Sequence, residues 1–175
     1  MDETNINRIL KNYSEDGKVD EAYRALNTRY DHIYHFVMNY SDYIYASRPY
    51  GGAEPMSMIE VHTLSYIDDH PGVTPTELVR FWNKTKGAIS QILARLADRN
   101  LIEKQKLPDN AKTIHLYVTE EGARISHAHK LFDIQDVTKT VLALEEHVSV
   151  QELETFYKVI SVYNRVICDD ISDYL

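Results

Sequence analysis

Hydrophobic side chains recur every three or four positions along three long stretches of the chain, which is the spacing of a helix with an apolar face. The first stretch covers about residues 19–47. The second follows Thr119 to about residue 147, and the third follows Ser149 to about residue 171. A short helix is also expected over about residues 3–13. The last stretch carries two apolar faces, and because a small monomer cannot cover both, this pattern predicts a partner chain.

Shorter helices with capping signals occupy the middle of the chain. Ser57 is followed three residues later by Glu60, which is the spacing of a capping box and predicts a helix that begins at residue 58. Thr74 has the same relation to Glu77 and predicts a helix over about 75–82. Thr85 is the expected cap of a third helix, over about 86–99. Asn100 can end that helix in the left-handed conformation.

Two short strands are predicted next, over residues 101–107 and 113–118. Apolar and polar residues alternate in the second strand, and residues 108–110, Pro-Asp-Asn, favour a turn between the two. Three short helices followed by a hairpin predict a winged helix-turn-helix: a mainly α fold with a small β-wing and with N- and C-terminal dimerisation helices. The expected boundaries are an extension at 1–18, a dimerisation helix and linker at 19–54, the winged module at 55–122 and dimerisation helices at 123–175.

The helix over 86–99 is the predicted DNA-reading element. Its apolar positions cluster on one side, whereas the opposite side has small and hydrogen-bonding residues. Gly87 permits a close approach to bases, and Gln91 can pair with an adenine edge. Basic side chains nearby suit phosphates. The predicted DNA contacts are Lys84, Thr85, Lys86, Gly87, Ser90, Gln91 and Arg95, together with Asn110 and Lys112 from the hairpin. The alternative is an ordinary solvated helix face and a charged hairpin tip.

Charge is unevenly distributed around this helix. The net charge is −8, yet residues 74–113 hold eight basic and four acidic side chains, a balance of +4. Residues 1–73 hold six basic and twelve acidic side chains, and residues 114–175 hold five and eleven. A basic middle between acidic flanks indicates a DNA module on an acidic scaffold. A chance fluctuation of surface charge would produce the same balance.

The stretch from Met58 to Gly122 resembles the multiple-antibiotic-resistance regulator (MarR) family of bacterial transcription factors. The matching segments are HPGVTPTELVRFW, TKGAISQILARLADRNLIEK and IHLYVTEEG, and SVQELETFYKVISVYNRV is similar to the family's terminal dimer helix. Two departures stand out. Asn110 and Lys112 occupy wing positions where the family usually has aspartate and arginine, and Asn83 replaces a common glycine. Lysine keeps the charge of arginine but loses its planar fork.

The resemblance implies a homodimer of triangular outline, whose terminal helices form the base and whose two winged lobes bind a pseudo-palindromic operator on double-stranded DNA. It also implies repression that a small effector or an oxidant relieves. We expect a small aromatic effector where the dimer helices meet the lobe, because aromatic and methionine linings suit flat ligands. The candidate lining residues are Tyr30, Tyr34, Met38, Met58, His62, Phe81 and Trp82, although each could be an ordinary core residue.

Two alternative functions remain open, and a third is not expected. A metal-responsive regulator is an alternative, since His32 and His35 can share a helix face with Asp31 or Asp42 nearby, whereas His127 and His129 point apart. A winged-helix module that binds protein is a second alternative. Enzyme activity is not expected, because no P-loop, dinucleotide fingerprint or nucleophile elbow occurs.

The sequence indicates no resident cofactor or constitutive metal site. Cys168 is the one cysteine, so a disulfide within the chain is excluded, and the acids that follow it disfavour a reactive thiolate. The polar N-terminus and the lack of a long apolar run predict a cytoplasmic protein without a membrane span.

Overall fold

The computed structural model describes residues 19–52, 54–107 and 110–172. The predicted helix over 3–13, and residues 108 and 109 of the predicted turn, lie outside these residues. Six helices and one hairpin are described: α1 (Val19–Tyr45), α2 (Met58–Asp69), α3 (Pro75–Trp82), α4 (Lys86–Asp98), β1 (Ile102–Leu107), β2 (Asn110–Val118), α5 (Glu120–Glu145) and α6 (Val150–Ser172). The mainly helical fold with a small wing is confirmed. None of the helices in the described ranges is long and apolar enough to cross a bilayer.

The short helices begin at the residues that the sequence indicated. At α2 the Glu60 carboxylate accepts hydrogen bonds from the backbone N–H and the hydroxyl of Ser57, both at 2.8 Å. The Thr74 hydroxyl oxygen accepts from the Glu77 N–H at 3.3 Å and closes the first turn of α3. Thr85 and Thr119 cap α4 and α5 in the same way. These bonds satisfy N–H groups that lack partners within the helix.

Two left-handed asparagines set the angles on either side of α4. Asn83 has φ 46° and Asn100 has φ 55°. Asparagine adopts this region more readily than most other residues that carry a Cβ. The tight turn between α3 and α4 is therefore kept, although asparagine stands where glycine was expected.

The wing is an antiparallel pair with one irregularity. The register runs from Ile102 opposite Val118 to Lys106 opposite Ile114, after which Leu107 lies opposite Asn110. Residues 111–113 therefore bulge from the ladder. The prediction that Asn110 and Lys112 lie in a turn before the second strand was wrong, because β2 begins at Asn110 and contains both.

The second edge of β2 is also paired. The Gly72 N–H donates to the Leu116 carbonyl at 2.8 Å, and the Leu116 N–H donates to the Val73 carbonyl at 3.0 Å. The loop between α2 and α3 thus acts as a short third partner of the sheet. As a result, the wing is attached to the helix-turn-helix through backbone bonds as well as through side chains.

One hydrophobic core lies inside the winged module. Every element from α2 to α5 contributes to it, and Leu116 of β2 is fully buried at its centre. The buried members are Tyr50, Met56, Val61, Leu64, Ile67, Val73, Leu78, Ile89, Ile92, Leu93, Leu96, Leu101, Ile102, Leu116 and Ile125. This core determines how α4 is oriented.

The terminal helices are much more exposed than the winged module. All side chains from residue 31 to 40 of α1 are exposed, and in the described part of α6 only Leu153 is buried and Tyr163 half-buried. Many of the exposed residues are large and apolar, including Phe36, Val37, Phe156, Val159 and Val162. Large apolar side chains exposed in this number indicate an interaction site.

Gly122 provides a test of the junction between the wing and α5. A Cβ at this position would lie 2.0 Å from the Leu101 carbonyl oxygen and 3.0 Å from its carbon. That oxygen cannot move freely, because it accepts the Thr119 N–H. We expect Gly122→Ala to lower the free energy of unfolding by about 1–3 kcal/mol, measured by urea denaturation.

Gly87→Ala is the matched control. The nearest atom to its added Cβ is Thr85 Oγ1 at 4.0 Å, so alanine fits in open space. Alanine in a helix is expected to leave stability unchanged or to raise it by up to about 1 kcal/mol. Equal stability of the two variants would show that the close approach of Gly122 to Leu101 is not a constraint.

Candidate nucleic-acid interface

α4 has a buried apolar side and an exposed polar side, as the sequence predicted. Its buried side consists of Ile89, Ile92, Leu93 and Leu96, all at most 4% exposed. Its outward side is exposed and includes all of the predicted contacts on the helix, namely Lys86, Gly87, Ser90, Gln91 and Arg95. Thr85 is exposed at the N-terminus, and Lys84 is half-buried beside it. The structure therefore places these seven residues on or next to one surface.

Gly87 has no packing reason to be a glycine. An added Cβ would meet no neighbour closer than 4.0 Å, and the backbone of Gly87 does not have a positive φ. The protein's own fold therefore leaves room for a side chain here. A missing side chain on the exposed first turn of a helix lets an external surface approach the backbone N–H groups.

Two of the eight basic side chains in the central segment are held by acids of the same chain. Arg95 forms an ion pair and a hydrogen bond with Glu60 of α2. The Arg99 guanidinium lies 3.4 Å from the Glu54 carboxylate and also donates to the Glu54 and Pro55 carbonyls. Arg99 thus anchors the loop before α2. Arg95 remains half-exposed, so it is a predicted DNA contact that also has an internal partner.

The electrostatics of Glu60 follow from its hydrogen bonds. Burial pushes its pKa up, but the bonds from Ser57 and the charge of Arg95 outweigh burial, so the pKa of Glu60 lies below its ordinary value. Glu60 therefore stays ionised and joins the start of α2 to the outward side of α4.

The hairpin adds further positive charge. Lys104, Lys106 and Lys112 are exposed on the wing, and within the described ranges none has an acidic group within 4.0 Å. Asn110 belongs to β2, but its side chain lies outside the described part. The described part of the wing therefore presents exposed positive charges.

The predicted effector residues separate into two groups. Tyr30, Tyr34 and Met38 lie on exposed α1, where the two tyrosine rings are 6.4 Å apart. Phe81 and Trp82 end α3, with rings 5.0 Å apart, and Trp82 is 6.4 Å from His62 of α2. Met58 is half-buried at the first position of α2. Within the described ranges no ring contact joins the two groups.

A partly buried polar cluster was missed by the sequence analysis. His62 of α2 meets His129 and Asp133 of α5, and one ligand atom from each lies within 4.8 Å of the others. The sequence analysis considered His129 only as a partner of His127, which is exposed and points to a different side of the helix. The available signal was the four-residue spacing of His129 and Asp133, which places both on one helix face. In the described residues, no such three-residue group includes His32 or His35.

His129 is the most perturbed titratable group. Burial lowers its pKa to about 4, with a further lowering by His62 and Lys130 that the Asp133 charge only partly offsets. Its ring is therefore neutral at physiological pH. A neutral imidazole has a lone pair available on one nitrogen.

The fold and the exposed, basic outward side of α4 define a winged helix-turn-helix protein. Residues 55–112 match the family model described as MarR family. Over this central segment the chain is similar to the MarR family of transcriptional regulators. The prediction that the chain is not an enzyme agrees with this likeness, because MarR-family regulators act by binding DNA.

One curated relative and two solved structures show the extent of the likeness. The relative is an uncharacterized HTH-type transcriptional regulator, YhjH, of Bacillus subtilis (strain 168), 26% identical over 83 residues. The matched segment covers 47% of this chain and 47% of the relative. The chain therefore matches about half the length of this relative. FabT of Streptococcus pneumoniae, in complex with DNA, is 24% identical, with a TM-score of 0.61 over 84% of this chain and 98% of its own.

The second structure is a mutant MarR from E. coli complexed with operator DNA. It is 20% identical, with a TM-score of 0.62 over 77% of this chain and 93% of its own. At these identities the structures establish the fold alone. They extend the likeness beyond the central module to the terminal helices.

Glu60→Gln tests the bond between α2 and α4. We expect it to lower the free energy of unfolding by about 1–2 kcal/mol near neutral pH, because a neutral amide loses charge-assisted bonds to Ser57 and Arg95. The lowered pKa of Glu60 means that its contribution is present above the ordinary value of 4.5 and is lost as pH falls through the folded value. Urea denaturation across this range should show the difference shrinking below pH 4.5.

Glu154→Gln on α6 is the control, since this carboxylate is exposed and makes no hydrogen bond within the described residues. Its stability should match wild type at each pH. A Glu60→Gln deficit that is independent of pH would show that the carboxylate charge does not contribute.

Proposed function

We propose that this protein is a dimeric, sequence-specific DNA-binding repressor whose operator affinity is lowered by a small effector. α4 enters the major groove, and the wing contacts the flanking backbone or minor groove. Gln91 and Ser90 read base edges, whereas Lys84, Lys86, Arg95 and Lys112 contact phosphates. The proposal includes a cytoplasmic location, where an operator is accessible.

The observation that supports this function best is the division of α4 into two sides. Its apolar side is fully committed to the core, so the helix cannot rotate to cover its polar side. That polar side begins with an unobstructed glycine and an exposed helix N-terminus, flanked by lysines. Phosphates bind favourably at such a terminus, because its N–H groups and the helix dipole both attract anions.

The exposed apolar surfaces of α1, α5 and α6 support dimerisation. Five large apolar side chains of α5 beyond Lys130 are exposed, and α6 is apolar on two sides. A second copy provides the same surfaces with matching pattern, and closed twofold pairing is the commonest way to bury them. Twofold symmetry also places two α4 helices so that they can enter successive major grooves, about 34 Å apart.

Effector control follows from this arrangement. The winged lobes are joined to the proposed dimer helices through α5, which starts in the core at Ile125 and continues into the exposed apolar region. A ligand that binds one lobe spacing more tightly shifts the population toward it by its difference in binding free energy. The candidate pocket residues on α1 would require the second chain to complete the site.

DNA reading by α4 is tested with an operator selected from a random duplex pool. We expect Gln91→Ala to weaken binding to the selected operator by about 1–3 kcal/mol and to leave binding to unselected DNA nearly unchanged. Lys112→Ala should weaken binding to both DNAs. It should also reduce the slope of log affinity against log salt concentration by about one. Fluorescence anisotropy over a range of salt concentrations measures both effects.

Gln135→Ala and Lys139→Ala are matched controls, because both side chains are exposed on α5, away from the α4 surface. They should bind DNA as wild type does. If the pool yields no preferred sequence and affinity is insensitive to salt, the protein is a winged-helix module for another partner and the proposed function is wrong.

Dimerisation is tested with two isoleucines of similar exposure. Ile160 on α6 is 43% exposed and Ile114 on the wing is 36% exposed. A charge at Ile160 would be buried without a partner in the proposed interface, which is costly. We expect Ile160→Glu to shift the molar mass measured by light scattering from dimer toward monomer, whereas Ile114→Glu stays dimeric. An unchanged mass for Ile160→Glu would contradict dimerisation through α6.

A further inference from the structure

We propose that His62, His129 and Asp133 bind one divalent cation of the Zn²⁺ type and that this ion links α2 to α5. The Nε2 atoms of both histidines and one carboxylate oxygen are the ligand atoms, and they lie within 4.8 Å of one another. The binding site stands on this geometry. The regulatory consequence rests in addition on the proposed function.

The distances in the cluster fit a tetrahedral ion. Asp133 Oδ2 lies 3.3 Å from His129 Nε2 and 3.6 Å from His62 Nε2. Ligands about 2.0–2.1 Å from a tetrahedral Zn²⁺ are separated from one another by roughly 3.3–3.5 Å. The two imidazole rings are 4.5 Å apart at an angle of 82°, so they approach from different directions. Only small side-chain adjustments are needed to bring the three atoms around one ion.

A chain of hydroxyl groups lies against the Nδ1 side of the His129 ring. Its Nδ1 lies 3.2 Å from Ser65 Oγ, which lies 3.2 Å from Ser126 Oγ. Ser126 Oγ donates to the Asp68 carboxylate at 2.8 Å. A hydroxyl oxygen can accept a hydrogen bond as well as donate one. Ser65 Oγ is therefore placed to accept a hydrogen bond from a proton on Nδ1, which is the tautomer that a metal ion at Nε2 requires.

With the proton on Nδ1, the lone pair of His129 Nε2 faces Asp133. The Nε2 atom is buried in a residue that is 2% exposed, and it makes no hydrogen bond. It lies 3.3 Å from an Asp133 carboxylate oxygen. A cation bound to both atoms would satisfy this buried nitrogen, and Ser65 would hold the ligand from its other side as the outer partners of metal-bound histidines do.

The donor set favours one class of ion. Two imidazoles and one carboxylate suit Zn²⁺ and neighbouring transition metals, whereas Mg²⁺ and Ca²⁺ prefer oxygen ligands. Three protein ligands leave one position for water, as in exchangeable sites. The side chains of His62 and Asp133 are 35% and 33% exposed, so the ion can enter from solvent. These features indicate a site that fills and empties with metal supply.

The position of the cluster connects the ion to the DNA-binding surface. His62 belongs to α2 inside the winged lobe, whereas His129 and Asp133 belong to α5, which continues into the proposed dimer base. His62 also contacts Trp82, the last residue of α3, which directly precedes the left-handed Asn83 and α4. A bound ion therefore restricts the angle between lobe and base, and we infer that it is an effector of operator affinity.

Binding is tested on the full chain with Zn²⁺ alone, by calorimetry in a chelator-free buffer. We expect one ion per chain, and Mg²⁺ should not compete. His62→Gln and Asp133→Asn remove ligands that are partly exposed, so the variants should fold, and each should weaken Zn²⁺ binding by more than about 100-fold. Ser65→Ala leaves the ligands in place and should weaken binding by roughly 10–100-fold.

His127→Ala and His35→Ala are the controls, since both histidines are exposed on helices and lie outside the cluster. They should bind Zn²⁺ as wild type does. Unchanged Zn²⁺ affinity in both His62→Gln and Asp133→Asn would overturn the site. A loss of binding in His35→Ala would overturn it as well, because the ion would then lie on α1.

The regulatory part is tested by operator affinity with and without Zn²⁺. We expect a change of at least about fivefold in wild type, the lower end of typical allosteric coupling, and no change in Asp133→Asn. Operator binding that does not respond to bound Zn²⁺ overturns the regulatory part and leaves the proposed function standing. Zn²⁺ binding without any operator binding overturns the proposed function and leaves the metal site standing.

Discussion

The burial of one side of α4 is the constraint on which the rest of the structure depends. Four aliphatic side chains of this helix, Ile89, Ile92, Leu93 and Leu96, are removed from water in the same core as residues of α2, α3 and the wing. Fully burying each such side chain contributes about 1.5–3 kcal/mol, so the four together are comparable with the net stability of a domain. Rotation of α4 about its axis would expose them, so the direction of its polar side is determined by the core.

The same constraint explains why some basic residues form ion pairs within the chain and others do not. Arg95 and Arg99 lie where α4 approaches α2, and acids of that region hold them. The lysines at the start of α4 and on the wing have no such partners within the described residues. Neutralised arginines strengthen the scaffold, whereas the uncompensated lysines give the surface its attraction for a polyanion. An acidic chain can therefore present a basic face without a high overall pI.

Local features could be predicted from the sequence, and features built from distant residues could not. Thr74, Thr85 and Thr119 cap helices through neighbours three residues away, so their roles are visible in a short window. The start of β2 was misplaced because the bulge at 111–113 depends on pairing with β1. His62 and His129 are separated by 67 positions along the chain, and only the packing of α2 on α5 brings them together.

The backbone bonds of Gly72 and Val73 to Leu116 have a further consequence. A strand with an unpaired edge is a template for strands of other molecules and promotes aggregation. At Leu116, β2 carries a partner on each side, because the loop between α2 and α3 occupies the edge that β1 leaves open. The base of the hairpin is therefore not open to pairing with a strand of another molecule.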